Sequence, residues 1–330
     1  MTVFAKKIKI TGLVQGVGFR PFIYKHALKY SLSGWVENRN DGVVCVIEGD
    51  FQSLKSFIDT LEDSSPLASS ISTVNVEDVE LSDFKSFVIK KSESVSEDVT
   101  EVSPDIAVCD DCLEDIKTQK NRVNYAFTNC TNCGPRFTII KDLPYDRQKT
   151  TMQPFVMCEN CQKEYTDIMD RRFHAQPVAC DICGPQYQLQ IGDERFDNIT
   201  EIIDRTCQLI EEGKIVSIKG LGGYFMACDA NNEAAVQKMR DVKGREMKPF
   251  AVMFPDIETV KKYAFVNDGE EKSLTSWRRP IVLLNHKKQL APGVSSDFDR
   301  TGVMLPYMPL HHMLFEPTNR CNSSYKWKYF

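Results

Sequence analysis

At 330 residues the chain is long enough for two or three domains. Hydrophobic residues make up 42% and charged residues 26%, a globular composition that excludes a wholly disordered chain. The net charge of −5 excludes nucleic-acid binding driven by overall charge. No apolar run approaches the ~18 residues of a membrane span. The lysines of the first nine residues have no apolar stretch behind them, so no signal peptide is read and the chain is expected in the cytoplasm, away from membranes.

Residues 1–90 read as one compact unit. Ile8 and Ile10 alternate as in a strand, and Phe22, Ile23, Ala27 and Leu28 recur at helical spacing over residues 20–31. Trp35 and Val36 begin a second strand, Asn40-Asp41-Gly42 turns the chain, and residues 43–47 return it as a hairpin. Asp50 is placed to cap a helix with Phe51, Leu54, Phe57, Ile58 and Leu61 on one face. Residues 84–89 close with a strand. The predicted order is βαββαβ, a ferredoxin-like arrangement.

Between the first strand and helix lies GLVQGVGFR, residues 12–20. Glycines let backbone N–H groups turn inward and a helix N-terminus favours an anion, so the segment is suited to a phosphate, with Arg20 as a clamp on the same oxygens. A plain glycine-rich turn would read the same from the glycines alone. The second segment, GWVENRNDG at residues 34–42, decides between them. Together the two segments resemble the motifs of the acylphosphatase family. The resemblance implies that Arg20 and the loop of Gln15, Gly16, Val17, Gly18 and Phe19 bind a phosphoryl group, and that Asn38 positions the attacking water. Such chemistry needs charge stabilisation and a fixed water, with no covalent nucleophile.

Residues 91–108 carry one lysine and five acids (Glu93, Glu97, Asp98, Glu101, Asp105) and read as a solvated linker. Eight of the twelve cysteines then fall within residues 109–188, as four Cys-x-x-Cys pairs: Cys109/Cys112, Cys130/Cys133, Cys158/Cys161 and Cys180/Cys183. Each of two repeated units opens with a pair and closes with a pair followed by Gly-Pro. Two pairs complete a four-thiolate structural zinc site, so two Zn²⁺ ions are expected, with no open coordination position for catalysis. Each unit folding around its own ion and a crossed pairing are both compatible with the spacing.

Residues 189–330 alternate as an α/β domain: a helix over 198–213, then strand-like 215–218, 250–254 and 280–284. Lys219-Gly220-Leu221-Gly222-Gly223 allows close backbone approach to a ligand but lacks Walker A spacing. Arg240, Lys243, Arg245 and Lys248 run straight into a buried strand. These segments (IVSIKGLGGYFMACD, KGREMKPF and SWRRPIVLL) resemble the YrdC-like family. That resemblance implies ATP binding, with Mg²⁺, by Lys243, Arg245 and Lys248, with Ser276 and Arg279 nearby. Phe225 and Val242 depart from the residues usual there. His311 and His312, in a Leu-His-His-Met-Leu setting, read as structural, and the tail after Phe315 has no periodicity.

The fold class is thus α+β multi-domain, with an incomplete α/β YrdC-like part at the end. In this order the parts resemble the hydrogenase maturation carbamoyltransferases, the HypF family. The resemblance implies that carbamoyl phosphate is hydrolysed to carbamate at the first site. Carbamate then reacts with ATP at the second site to give carbamoyl adenylate, for transfer to the C-terminal cysteine of a HypE-type acceptor. Carbamate is short-lived in water, so the two steps call for enclosure, and the zinc units are expected to hold the sites in register. The family continues beyond the His311-His312 stretch. The chain is therefore expected to hydrolyse acyl phosphates without completing transfer alone. A stand-alone acylphosphatase and a threonylcarbamoyl-adenylate synthase are the alternatives.

Overall fold

The computed structural model describes residues 2–66, 68–90, 101–244, 248–288, 290–295 and 298–316. Of the sequence expectations, residues 91–100 of the linker, Arg245 and the tail from 317 onward lie outside the described residues. The chain divides into two compact units. One comprises Met1–Ile106 with Asn129–Gly184, the other Ala107–Thr128 with Pro185–Phe330.

The first unit opens with β1 (Phe4–Leu13), α1 (Phe19–Lys29), β2 (Ser33–Arg39), β3 (Gly42–Gly49), α2 (Phe51–Asp59), β4 (Ser70–Val79) and β5 (Phe87–Ile89). The sheet order is β4-β1-β3-β2-β5. Its first four strands are antiparallel neighbours in the predicted βαββαβ arrangement, while β5 adds to the far edge, parallel to β2. The alternation of β1 puts Ile8 and Ile10 on the buried face, where Ile23, Val36, Ile47, Leu54 and Phe57 also lose all contact with solvent. Asp50 caps α2 as expected, accepting from the N–H groups of Gln52 and Ser53 at 3.0 Å.

The strand that completes the ferredoxin-like order is β4, and the expected closing segment is instead the added fifth strand. β4 escapes period-2 reading for two reasons. It is an edge strand with no fully buried residue, and its register against β1 shifts between Thr11 and Gly12. Such a bulge inserts an extra residue and breaks the alternation of Ile71 with Val74 and Val76.

The next helix, α3 (Asp110–Thr118), belongs to the second unit, and α4 (Glu159–Thr166) to the first. The second unit continues with β6 (Leu189–Ile191), β7 (Glu194–Phe196), α5 (Ile199–Glu211), β8 (Val216–Lys219), β9 (Tyr224–Ala227), α6 (Glu233–Lys243), β10 (Ala251–Met253), α7 (Ile257–Tyr263), α8 (Asp268–Thr275), β11 (Val282–Asn285), β12 (Arg300–Met304) and α9 (Pro309–Phe315). Its three-stranded sheet runs β10-β12-β11, with β10 parallel and β11 antiparallel to β12. Phe250, Val252, Phe254, Leu284 and Val303 form the core around that sheet. A second cluster joins Ile203, Cys207 and Ile210 of α5 to Val216, Ile218, Met308 and Leu314. No helix among the described residues is long and apolar enough to cross a membrane.

Candidate functional site

The loop between β1 and α1 turns on two glycines in the left-handed region, Gly16 (φ 74°) and Gly18 (φ 75°). Gly18 caps α1 with no side chain of its own, which leaves the first turn of the helix open to an anion. Gln15 is a buried clip. Its amide donates to the Gly42 carbonyl (3.1 Å), and its Oε1 accepts from Tyr145 N–H (3.2 Å), so its side chain holds the loop in place. Val17 and Phe19 face the core, each 1% exposed, and only their backbone is offered to a ligand.

Arg20, on the first turn of α1, is buried, and its Nη2 lies 2.9 Å from Asp146 Oδ1. Asn38 on β2 is 2% exposed, and its Oδ1 has no hydrogen-bond partner among the described residues. Burying an acceptor without a partner is costly, and at a reaction site it marks a place for a water or substrate hydrogen. Gly16, Gly18, Arg20 and Asn38 line one pocket, so the predicted phosphoryl loop, clamp and carboxamide meet in space.

The opposite part of that pocket comes from far along the chain: Thr131, Arg136, Tyr145, His174, Ala175, Gln176 and Pro177. None was selected from the sequence. Gln176 is tightly held, with Oε1 accepting from Tyr165 Oη (3.1 Å) and Arg147 N–H (2.8 Å), and Nε2 donating to the His174 carbonyl (2.9 Å). His174 itself adopts φ 56° and stacks on Tyr165 at 5.1 Å. Burial, and then the Arg20 charge, push its imidazole down to about 4, so it faces the pocket neutral at pH 7.

The eight cysteines gather into two groups: Cys109, Cys112, Cys130 and Cys133, and Cys158, Cys161, Cys180 and Cys183, each with its four Sγ atoms within 4.8 Å of one another. The pairing is therefore sequential, as each repeat closing on itself requires. In the second group Cys158–Cys180 and Cys183–Cys161 are 3.6 Å apart and Cys180–Cys183 3.7 Å. Four thiolates about 2.3 Å from a tetrahedral zinc would stand about 3.8 Å apart, so the donor set and its spacing fit that ion. Burial pushes the Cys180 thiol up to about 11, and a cation at the centre would supply the charge that makes it a thiolate. Cys158 opens α4 and Cys161 lies in its first turn, which fixes that pair locally.

In the second unit Lys243 ends α6, followed by Gly244 at φ 57°, and Lys248 leads toward β10. Ser276 caps α8, its hydroxyl donating to the Ser273 carbonyl (2.7 Å), and its own carbonyl accepts from Arg279 N–H (3.0 Å). Ser276 and Arg279 thus share one turn. That turn precedes β11, which runs antiparallel to β12, whereas Lys248 precedes the parallel β10; the two enter the sheet from opposite ends. The glycine segment after β8 is a tight turn closed by Gly220 N–H to the Gly223 carbonyl at 2.7 Å. His311 is fully buried, with its ring against Tyr307 (4.5 Å) and Phe225 (5.5 Å), as a structural histidine would be.

Comparison with known proteins divides the chain into matching segments. Residues 6–89 match the acylphosphatase family profile, residues 108–140 and 157–190 the HypF finger, and residues 208–322 the YrdC-type profile described as telomere recombination. The carbamoyltransferase HypF of Rhodobacter capsulatus is 41% identical over 313 residues, 94% of this chain and 41% of that protein. The acylphosphatase of Bacillus licheniformis is 45% identical over 85 residues, 25% of this chain and 93% of that protein. A crystal structure of full-length HypF in a phosphate- and nucleotide-bound form superposes with a TM-score of 0.92 at 45% identity, covering 99% of this chain and 42% of that one. The chain spans about two fifths of the length of the HypF relatives it matches.

Proposed function

The chain belongs to the HypF family, whose N-terminal part it matches, and on that premise we propose that it binds carbamoyl phosphate at the loop of residues 15–19 and hydrolyses it. The observation that carries this reading is the buried, unpartnered Asn38 Oδ1 in the same pocket as Arg20 and the glycine turn. Arg20 and the loop N–H groups hold the phosphoryl oxygens and stabilise the charge that builds on them. Asn38 Oδ1 accepts a hydrogen from water and aims its oxygen at phosphorus. The water oxygen bonds to phosphorus, the bridging P–O bond breaks, carbamate leaves with the electron pair, and the water gives up a proton to solvent.

The remaining roles follow the same family. The eight cysteines hold two structural zinc ions. Lys243, Arg245 and Lys248 contact the ATP phosphates, with Mg²⁺ and with Ser276 and Arg279 in the same domain, as carbamate is converted to carbamoyl adenylate. The carbamoyl group is destined for the C-terminal cysteine of a HypE-type acceptor, and the setting is the cytoplasm, where thiolate sites stay reduced. The acylphosphatase and finger matches favour this reading over a lone acylphosphatase or a threonylcarbamoyl-adenylate synthase. The test is phosphate release from carbamoyl phosphate by the chain and by its Arg20→Met variant. Release that depends on Arg20 supports the proposal; no release, or release indifferent to Arg20, contradicts it.

A further inference from the structure

Arg136 follows the Gly134-Pro135 turn that closes the first finger and is 2% exposed. A guanidinium has five N–H donors, and here all five meet backbone carbonyls. Nη1 donates to Cys133 (3.0 Å) and Pro135 (2.8 Å), and Nη2 to Cys130 (3.2 Å) and Thr131 (2.9 Å). The fifth donor, Nε, goes to the carbonyl of Gly16, inside the phosphoryl loop. Its backbone N–H is held in turn by Asp105 Oδ1 at 2.7 Å.

With its fork saturated, Arg136 has no donor left for a ligand, in contrast to the role argued for Arg20. Its function is geometric. In a trans peptide the carbonyl and the following N–H point in opposite directions. Fixing the Gly16 carbonyl against Arg136 therefore fixes the Val17 N–H on the other side of that peptide. The same guanidinium grips the carbonyls of Cys130 and Cys133, two of the four thiols in the first cysteine group. Among the described residues no carboxylate side chain is bonded to the guanidinium, so its charge also adds to the positive field at the loop.

We propose that Arg136 is a positioning residue that ties the phosphoryl-binding loop to the Cys130–Cys133 knuckle, so that metal-dependent order at the knuckle sets the aim of the loop amides. This rests on the acyl-phosphate reading of the loop. Arg136→Lys separates geometry from charge, because an ammonium keeps the charge while its three donors cannot span five carbonyls. Binding of inorganic phosphate to the full chain is measured by calorimetry, with metal content counted on the same sample. The expected result is phosphate affinity at least tenfold weaker in Arg136→Lys with the metal retained. Affinity within twofold of the parent overturns the proposal.

Where Arg136→Lys loses its metal or fails to fold, the unaltered chain decides. Metal is withdrawn with a chelator and amide hydrogen exchange is followed. Faster exchange at residues 15–19, while Ile8 and Val44 of the sheet stay protected, supports the link; unchanged exchange at 15–19 overturns it. An unaltered, metal-loaded chain that binds no phosphate contradicts the reading of the loop itself, a separate failure.

Discussion

Replacing Arg20 with methionine keeps an unbranched apolar stem and removes the guanidinium and its charge. In the parent chain the guanidinium is buried and 2.9 Å from Asp146. Two charge-assisted hydrogen bonds to phosphoryl oxygens, at about 1.5–3 kcal/mol each, put the loss at about 3–6 kcal/mol, or 10²- to 10⁴-fold in kcat/KM. A second effect adds to it. Asp146 loses its cation and faces the incoming phosphate, and at an effective dielectric of about 20 and roughly 6 Å each pair of like charges costs about 3 kcal/mol before screening. Asp146 is one-third exposed, which reduces that figure. The Arg20→Met/Asp146→Asn double variant is therefore expected to recover roughly tenfold over Arg20→Met alone. The assay is phosphate release from carbamoyl or acetyl phosphate across a range of substrate concentrations. Arg20→Met within threefold of the parent in kcat/KM would refute the assignment of Arg20 as the phosphoryl clamp.

Metal analysis of the purified chain is expected to give two zinc ions, and Cys161→Ser, which removes a fully buried thiol from the second group, is expected to give one; two ions in both would contradict the grouping. Acidification is expected to destabilise the fold between pH 6.5 and about 4. Burial holds His174 and His312 down to about 4 and His311 to about 3, so the unfolded chain binds more protons than the folded one in that window. Stability therefore rises with pH up to the unfolded value and is flat above it, with a slope of up to about 1.4 kcal/mol per pH unit for each group. Equal urea midpoints at pH 5 and pH 7 would contradict that sign.

What the sequence made legible was local. The hairpin at Asn40-Asp41-Gly42, the Asp50 cap and the apolar face of α2 each depend on residues a few positions apart, and the structure contains all three. That Asn38 and the glycine turn of residues 16–18 share one pocket was likewise readable, because their motifs sit within one small fold. Beyond reach were contacts set by long-range packing. Arg136 lies 120 residues from the Gly16 carbonyl it holds, and Asp146 lies 126 from Arg20. Neither stands out in a region whose cysteines dominate the pattern. His174 was hidden for a similar reason: a histidine within a finger reads as a structural group until its ring is seen facing the pocket. The choice between sequential and crossed cysteine pairing also needed coordinates, since both satisfy the spacing.

The central claim is that the loop of residues 15–19 and Arg20 hold the phosphoryl end of an acyl phosphate. A crystal structure of the chain grown with orthophosphate tests it most directly. The account predicts phosphate seated over the Gly16–Gly18 turn, with Arg20 nitrogens within about 3 Å of its oxygens and a water bridging to Asn38 Oδ1. An empty turn, with Arg20 still paired with Asp146 and phosphate bound elsewhere, would contradict it.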